Sequence, residues 1–253
     1  MKNIRIIPRL DIKGPNVVKP VQTEALRVIG NPKELAYHYY QTGADELIYL
    51  DIVASLYGRN LDFDLLKSVT ENIFIPITVG GGIRSIHDIN NVLRSGADKI
   101  AINTYVVKHP NFISEAVREF GSQCIVLYIE AKKQLDGSYE AYTDGGREKS
   151  GLEVIDWIKK AIDLGVGEIL LTSVDKDGTR DGYDIELLKK ITSFSPIPVI
   201  AHGGAGKPES LKKAVMEAKV DALGVSSIFH YNEYSIKDSK DYLQKNNINV
   251  RII

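Results

Sequence analysis

Two carboxylates end apolar stretches of this chain: Asp11 closes Arg5-Ile6-Ile7-Pro8-Arg9-Leu10-Asp11, and Glu130 closes Cys124-Ile125-Val126-Leu127-Tyr128-Ile129-Glu130. A carboxylate at the end of a buried strand is costly unless it is solvated or used. Two of them in differing surroundings can divide into general acid and general base. Lys19 lies in the long connection after Asp11. It has the reach to fix a phosphate or polarise a carbonyl, and as a loop lysine it can equally be solvated.

Anion-binding candidates come as a pair. Ile77-Thr78-Val79-Gly80-Gly81-Gly82-Ile83-Arg84-Ser85 is a short apolar run entering three glycines and a helix start. Pro198-Val199-Ile200-Ala201-His202-Gly203-Gly204-Ala205-Gly206-Lys207 repeats the pattern. Without Cβ atoms the backbone can approach a phosphate closely, and the helix start beyond supplies free N–H groups. Asn103 and Thr104 follow the strand beside the first cradle, and Ser226 and Ser227 the strand beside the second. Asp175-Lys176-Asp177-Gly178-Thr179 lacks the alternating oxygen ligands and closing Glu of a calcium loop. His38, His87, His109, His202 and His230 show no metal-ligand spacing, so neither a metal nor another cofactor is expected. His202 sits within the second cradle, where it can hydrogen-bond a ligand.

The elements that hold these residues alternate from end to end. Continuous apolar runs predict strands over Arg5–Asp11, Glu46–Asp51, Ile75–Val79, Lys99–Asn103, Cys124–Glu130, Glu168–Thr172, Pro198–Ala201 and Ala222–Ser226. Unbroken rather than alternating runs are the mark of parallel strands covered on both faces. Helix starts are read at Asn31-Pro32, Asn60 or Asp62, Ser85 and Lys207-Pro208, and stops at Gly43, Gly96 and Gly165. About eight such units with no break in composition predict one (β/α)₈ barrel domain over residues 1–253. Glu46 and Glu168, Gly80-Gly81 and Gly203-Gly204, and Asp98 and Asp221 recur roughly 120 residues apart, the signature of a duplicated half-barrel. Asp11 and Glu130 then face each other across the mouth, between two related cradles. A ligand phosphorylated at both ends fits that arrangement.

At the opposite end, Arg5, Glu46, Lys99 and Glu168 each begin a strand. They are either solvated rim charges or a ring of ion pairs across the barrel floor, and a buried ring suits gating better than stability. The connections Ile12–Gly30 and Ala131–Gly151 are longer than a barrel needs and read as mobile covers over the mouth, the second with turns at Asp136-Gly137 and Asp144-Gly145-Gly146. Tyr37, Tyr39 and Tyr40 read as a core stripe of one helix.

A net charge of −1 gives no support to a nucleic-acid or membrane-surface partner. A single cysteine, Cys124, excludes a disulfide framework. No stretch has the length of a bilayer span and Met1–Arg5 has no signal-peptide character, so a cytoplasmic protein is expected.

These residues together resemble a known family, the cyclase subunit of imidazole glycerol phosphate synthase. The resemblance covers essentially the whole chain. It rests on Arg5–Asp11, Val17-Val18-Lys19, Asp45-Glu46-Leu47, Val79-Gly80-Gly81-Gly82-Ile83, Asp98-Lys99-Ile100, Phe120-Gly121-Ser122-Gln123, Asp175–Thr179 and Gly203–Lys207. It implies a lyase of histidine biosynthesis that takes ammonia from a glutaminase subunit docked on the N-terminal face of the barrel. The implied substrate is a bis-phosphorylated phosphoribulosyl formimino carboxamide ribonucleotide (PRFAR), and the products are imidazole glycerol phosphate and the carboxamide ribonucleotide AICAR. By the resemblance Asp11 is an acid/base group and Lys19 the loop lysine. Gly82, Asn103 and Thr104 match one phosphate site, and Asp177, Gly178, Gly204 and Ser227 the other. Arg5, Glu46, Lys99 and Glu168 match the ammonia gate.

The chain also departs from the family. Glu130 stands where the family has Asp, and a displacement of about 1 Å can cost on the order of a hundredfold in rate. Pro8 and Arg9 replace small residues near Asp11, His202 replaces one by the second cradle, and Gly145-Gly146-Arg147 replaces a serine-glycine turn. An alternative expectation is therefore a paralogue that uses channelled ammonia to build amidino groups on surface-polysaccharide sugars.

Overall fold

The apolar runs become a closed ring of parallel strands, each covered on one side by the barrel interior and on the other by helices. A computed structural model describes residues 2–21 and 24–252. In chain order the strands are β1 (Arg5–Lys13), β2 (Asn16–Val21), β3 (Glu24–Gly30), β4 (Leu47–Asp51), β5 (Ile77–Gly80), β6 (Lys99–Ile102), β7 (Ile125–Lys133), β8 (Tyr139–Thr143), β9 (Glu148–Glu153), β10 (Glu168–Ser173), β11 (Val199–His202) and β12 (Ala222–Val225). The helices are α1 (Pro32–Gln41), α2 (Phe63–Thr70), α3 (Ile86–Arg94), α4 (Thr104–Lys108), α5 (Asn111–Phe120), α6 (Val154–Asp163), α7 (Ile185–Thr192), α8 (Pro208–Ala218), α9 (Ser227–His230) and α10 (Ile236–Lys245). Strands β1, β4, β5, β6, β7, β10, β11 and β12 pair in parallel in that order, and β12 closes on β1 through Arg5 opposite Ala222. This is a (β/α)₈ barrel.

Local chemistry sets the element ends. The Asn31, Asp62 and Ser85 side chains accept from backbone N–H groups in the first turns of α1, α2 and α3. Gly43, Gly96 and Gly165, just past α1, α3 and α6, take the positive φ that ends a helix. Asp98 Oδ2 accepts from the first N–H of β5 (Ile77) at 2.8 Å, and Asp221 Oδ2 from the first N–H of β11 (Val199) at the same distance. The half-barrel repeat is thus a repeat of hydrogen bonds as well as letters.

Several boundaries differ from the expectation. Lys99–Asn103 and Ala222–Ser226 each stop one residue short, because Asn103 (φ −135°, ψ −87°) and Ser226 (φ −126°, ψ −76°) leave the extended region and start α4 and α9. Among the described residues, both long connections form antiparallel ribbons rather than irregular covers. β2 and β3 extend β1 as antiparallel partners, and β8 and β9 extend β7, with turns where Asp136-Gly137 and Asp144-Gly145-Gly146 predict them. Gln22 and Thr23, within the first connection, lie outside the described residues. Of the tyrosine stripe only Tyr39 is core, for Tyr37 is exposed and Tyr40 half-buried. Among the described residues no helix is long and apolar enough to cross a membrane.

Candidate active site

Alternation along each strand decides what enters the barrel. Ile6, Leu10 and Ile12 of β1 join the layer beneath the helices, while Ile7 packs in the interior with Ile48, Val126, Leu170 and Ile200. Arg5, Arg9 and Asp11 share the parity of Ile7. From floor to mouth the interior passes from an ionic ring, through this apolar band, to a polar layer.

The floor ring is closed. Arg5 bridges Glu46 (2.8 Å) and Glu168 (2.7 Å), and Lys99 Nζ bridges the same two carboxylates at 3.1 and 2.9 Å. Both glutamates are buried, and the two cations are only partly exposed. Burial opposes the charge of Arg5, but Glu168 and Glu46 outweigh it and raise its proton affinity. The four strand-start charges are therefore a ring rather than a solvated rim.

In the polar layer Arg9 engages its own strand and three others. Its Nε donates to Asp11 Oδ1 (2.8 Å), Nη1 to Thr172 Oγ1 (2.9 Å) and His202 Nδ1 (3.1 Å), and Nη2 to the Tyr128 hydroxyl (3.1 Å). A guanidinium only donates, so His202 Nδ1 accepts and its proton sits on Nε2, 3.2 Å from Ser226 Oγ. Burial, then the charges of Arg9 and Lys19, keep His202 neutral by lowering its pKa well below the usual value. Asp11 is fully buried, and its Oδ2 makes no hydrogen bond among the described residues; Lys19 Nζ lies 3.8 Å from it.

Glu130 is the second carboxyl of the mouth. Its Oε1 accepts from the Tyr128 hydroxyl (2.9 Å) and its Oε2 from Asn103 Nδ2 (3.0 Å). Burial pushes its pKa up to about 7, against the pull of the Tyr128 hydrogen bond and the Arg9 charge. A group with that pKa can both give and take a proton at neutral pH.

The two cradles share a backbone. β5 leads into Gly81 (φ 111°) and Gly82 (φ 68°), β11 into Gly203 (φ 93°) and Gly204 (φ 98°). Gly81 is thus the structural counterpart of Gly203, one residue off the pairing read from the sequence. A Cβ on Gly81 would lie 2.3 Å from Asp51 O, and one on Gly204 2.2 Å from Gly182 O, so side chains are excluded at both. Asn103 and Ser226 repeat the same unusual φ and ψ beside them. The cradles differ in room. A cavity of about 200 Å³ adjoins Gly82, Asn103, Thr104, Tyr128 and Glu130. The space among Lys19, Asp177, Gly178, Gly204, Ser226 and Ser227 is about 10 Å³, enough for roughly one water. What fills it is the β2 ribbon: buried Lys19 donates to Asp177 Oδ1 at 2.8 Å, and Gly178 packs on Pro20 and Val21.

The chain's similarity to known proteins agrees with this architecture. The family described as "Histidine biosynthesis protein" matches residues 5–235. The imidazole glycerol phosphate synthase subunit HisF of Legionella pneumophila is 58% identical over 209 residues, 83% of this chain and 99% of its own. Its counterpart in Alkaliphilus metalliredigens is 47% identical over 247 residues, 98% of each chain. The chain belongs to the HisF family.

Against the HisF expectations, Asp11, Glu130 and Lys19 come together at the mouth, and Arg5, Glu46, Lys99 and Glu168 at the floor. Lys19 is not a solvated loop residue. The Asn103 amide is committed to Glu130 and to Tyr142 O (3.0 Å), which leaves its backbone for the cradle. Thr104 Oγ1 accepts from the Asp144 N–H at 3.1 Å and tethers the β8–β9 turn. Tyr128 and Thr172 escaped the sequence reading. Counting two residues back from Glu130 finds Tyr128 on the same face, but its partner Arg9 lies 119 residues away.

Proposed function

We propose that this chain is the cyclase of imidazole glycerol phosphate synthase, a lyase that uses ammonia to convert PRFAR to imidazole glycerol phosphate and AICAR in histidine biosynthesis. The observation that carries this reading is the pair of like cradles flanking Asp11 and Glu130, in a chain 47% identical to a HisF subunit over 98% of its length. Ring closure with loss of an amine needs one group to take a proton from the incoming nitrogen and another to supply one to the departing nitrogen. Asp11, with a free Oδ2, and Glu130, poised near pH 7, are the groups assigned to these transfers. Gly82, Asn103 and Thr104 receive one phosphate, and Asp177, Gly178, Gly204, Ser226 and Ser227 the other. Lys19, buried against Asp177 in the second cradle, is the group placed to close on that phosphate.

Both relatives are named as subunits, and a glutaminase subunit is the implied partner in a heterodimer. In this reading it docks on the N-terminal face, and the floor ring of Arg5, Glu46, Lys99 and Glu168 gates ammonia into the barrel. The apolar band above the ring favours neutral ammonia, because an ammonium ion would lose its hydration there. Residues 1–253 act as one barrel domain in the cytoplasm. The amidino-sugar alternative is not favoured, since both relatives carry the histidine-pathway subunit's name. Complementation of a bacterial histidine auxotroph lacking its cyclase tests the proposal: growth is expected, and failure by a folded, well-expressed protein would overturn it.

A further inference from the structure

Arg9 belongs to neither cradle and Tyr128 only borders the cavity beside the first, yet one unbroken line of hydrogen bonds through them crosses the barrel. Arg9 Nε donates to Asp11 Oδ1 at 2.8 Å, Arg9 Nη2 to the Tyr128 hydroxyl at 3.1 Å, and that hydroxyl to Glu130 Oε1 at 2.9 Å. The order of donors is forced. The guanidinium has no acceptor, so Tyr128 accepts from it and has a single proton left for Glu130. The Arg9 guanidinium also lies over the Tyr128 ring, its Cζ 5.2 Å from the centroid, a cation–π contact that adds to the hydrogen bond. An apolar side chain could fill this volume without the cost of burying a cation, so packing alone does not account for an arginine here.

We propose that Arg9 is a positioning residue for the cyclisation: through Tyr128 it joins Asp11 to Glu130, so that the protonation of one carboxyl answers to the charge on the other. This rests on the proposed function for its catalytic meaning, but the link itself does not.

The groups facing Glu130 come from four places. They are Tyr128 on its own strand, Arg9 and Asp11 on β1, the Asn103 amide after β6, and the Gly146 N–H in the β8–β9 turn. Arg9 in turn meets Asp11, Tyr128, Asp177 and His202, and Lys19 stands by Asp11. Burial raises the Glu130 proton affinity, and Asp11 adds to that; Tyr128 and Arg9 lower it. The far end of the line, Asp11, and its middle, Arg9 and Tyr128, therefore push Glu130 in opposite directions, and removing each has an opposite effect.

The test is an infrared titration of the Glu130 carboxyl in the full chain, with Glu130→Gln as the blank. The wild-type inflection is expected near pH 7. Tyr128→Phe keeps the ring and the Arg9–Asp11 pair but cuts the line. It should move the inflection up by about one pH unit, about tenfold in proton affinity, the worth of one hydrogen bond. Arg9→Lys, which keeps a charge by Asp11 but loses the fork, should move it in the same direction. Asp11→Asn should move it down. The corresponding inflection in the pH dependence of kcat with ammonium should follow each shift. If Arg9 and Tyr128 only pack, stability or kcat falls while the inflection stays fixed in both Tyr128→Phe and Arg9→Lys, which overturns the proposal. Should the infrared inflections move as stated while wild type fails to turn over PRFAR, the link holds and the proposed function is what fails.

Discussion

Arg9 holds Asp11 from two residues away on the same strand face, Nε to Oδ1 at 2.8 Å, with both side chains shut off from solvent. β1 thus carries its own counter-ion into the barrel, because residues i and i+2 of a strand face the same way. Removing one member of such a buried pair leaves the other uncompensated, at a cost of about 3–5 kcal/mol. Arg9→Met should lower unfolding stability by that order in urea titrations. Arg9→Lys should recover much of the loss, since it restores a charge.

Asp11→Asn is expected to reduce turnover by about 10²- to 10⁴-fold, with free ammonium salts as much as with a glutaminase partner. The defect would then lie in the barrel mouth and not in ammonia supply. Steady-state assays with both nitrogen sources check this, and a loss confined to the glutamine-driven reaction would remove Asp11 from the chemistry.

Glu130 makes a signed prediction about pH and stability. Its folded pKa of about 7 lies above the ordinary 4.5, so between those values the native state binds more protons than the unfolded chain. Its contribution therefore falls as pH rises from about 4.5 to 7, the reverse of a salt-bridged carboxylate. Thermal melts across that window should show wild type losing stability relative to Glu130→Gln as pH increases. A difference that stays constant with pH would mean that Glu130 titrates alike in the folded and unfolded chain and that burial does not raise its pKa.

Lys99 closes the floor ring against Glu46 and Glu168. Lys99→Ala leaves those two carboxylates with Arg5 alone and opens the floor. Glutamine consumption should then run ahead of product formation in the heterodimer, while turnover of added ammonium persists. The ratio of glutamate to imidazole glycerol phosphate reads this directly, and a ratio unchanged from wild type would rule out a gating role.

Ser227 opens the short helix α9 beside the second cradle. Ser227→Asp puts a negative charge where a phosphate is assigned, so KM for PRFAR should rise at least about tenfold, as a like charge at contact costs more than 1.4 kcal/mol. Equal KM values would detach this cradle from the substrate.

Much of this architecture was legible in the residues, for reasons that are local. The barrel strands announce themselves as unbroken apolar runs; the four strand-start charges are visible too, but the sequence leaves open whether they form a rim or the ring that the ion pairs show. The misreadings share a physical origin in long-range contacts. The β2 segment, Asn16–Val21, contains Pro20 and reads as loop; it is a strand because β1 on one side and β3 on the other satisfy its backbone. Tyr37 has the composition of a core residue but lies on the outward side of α1, and Tyr40 on the flank of its buried face of Pro32, Ala36 and Tyr39. Tyr128 passed for an apolar strand residue because nothing near it in the chain shows that Arg9 and Glu130 meet at its hydroxyl.

The most direct measurement is turnover of PRFAR by the purified chain in ammonium salts at alkaline pH, with both products quantified. Equal amounts of imidazole glycerol phosphate and AICAR, formed without any glutaminase, are the predicted result. A folded protein that binds PRFAR yet releases neither product would contradict the assignment of Asp11 and Glu130 as its acid/base pair.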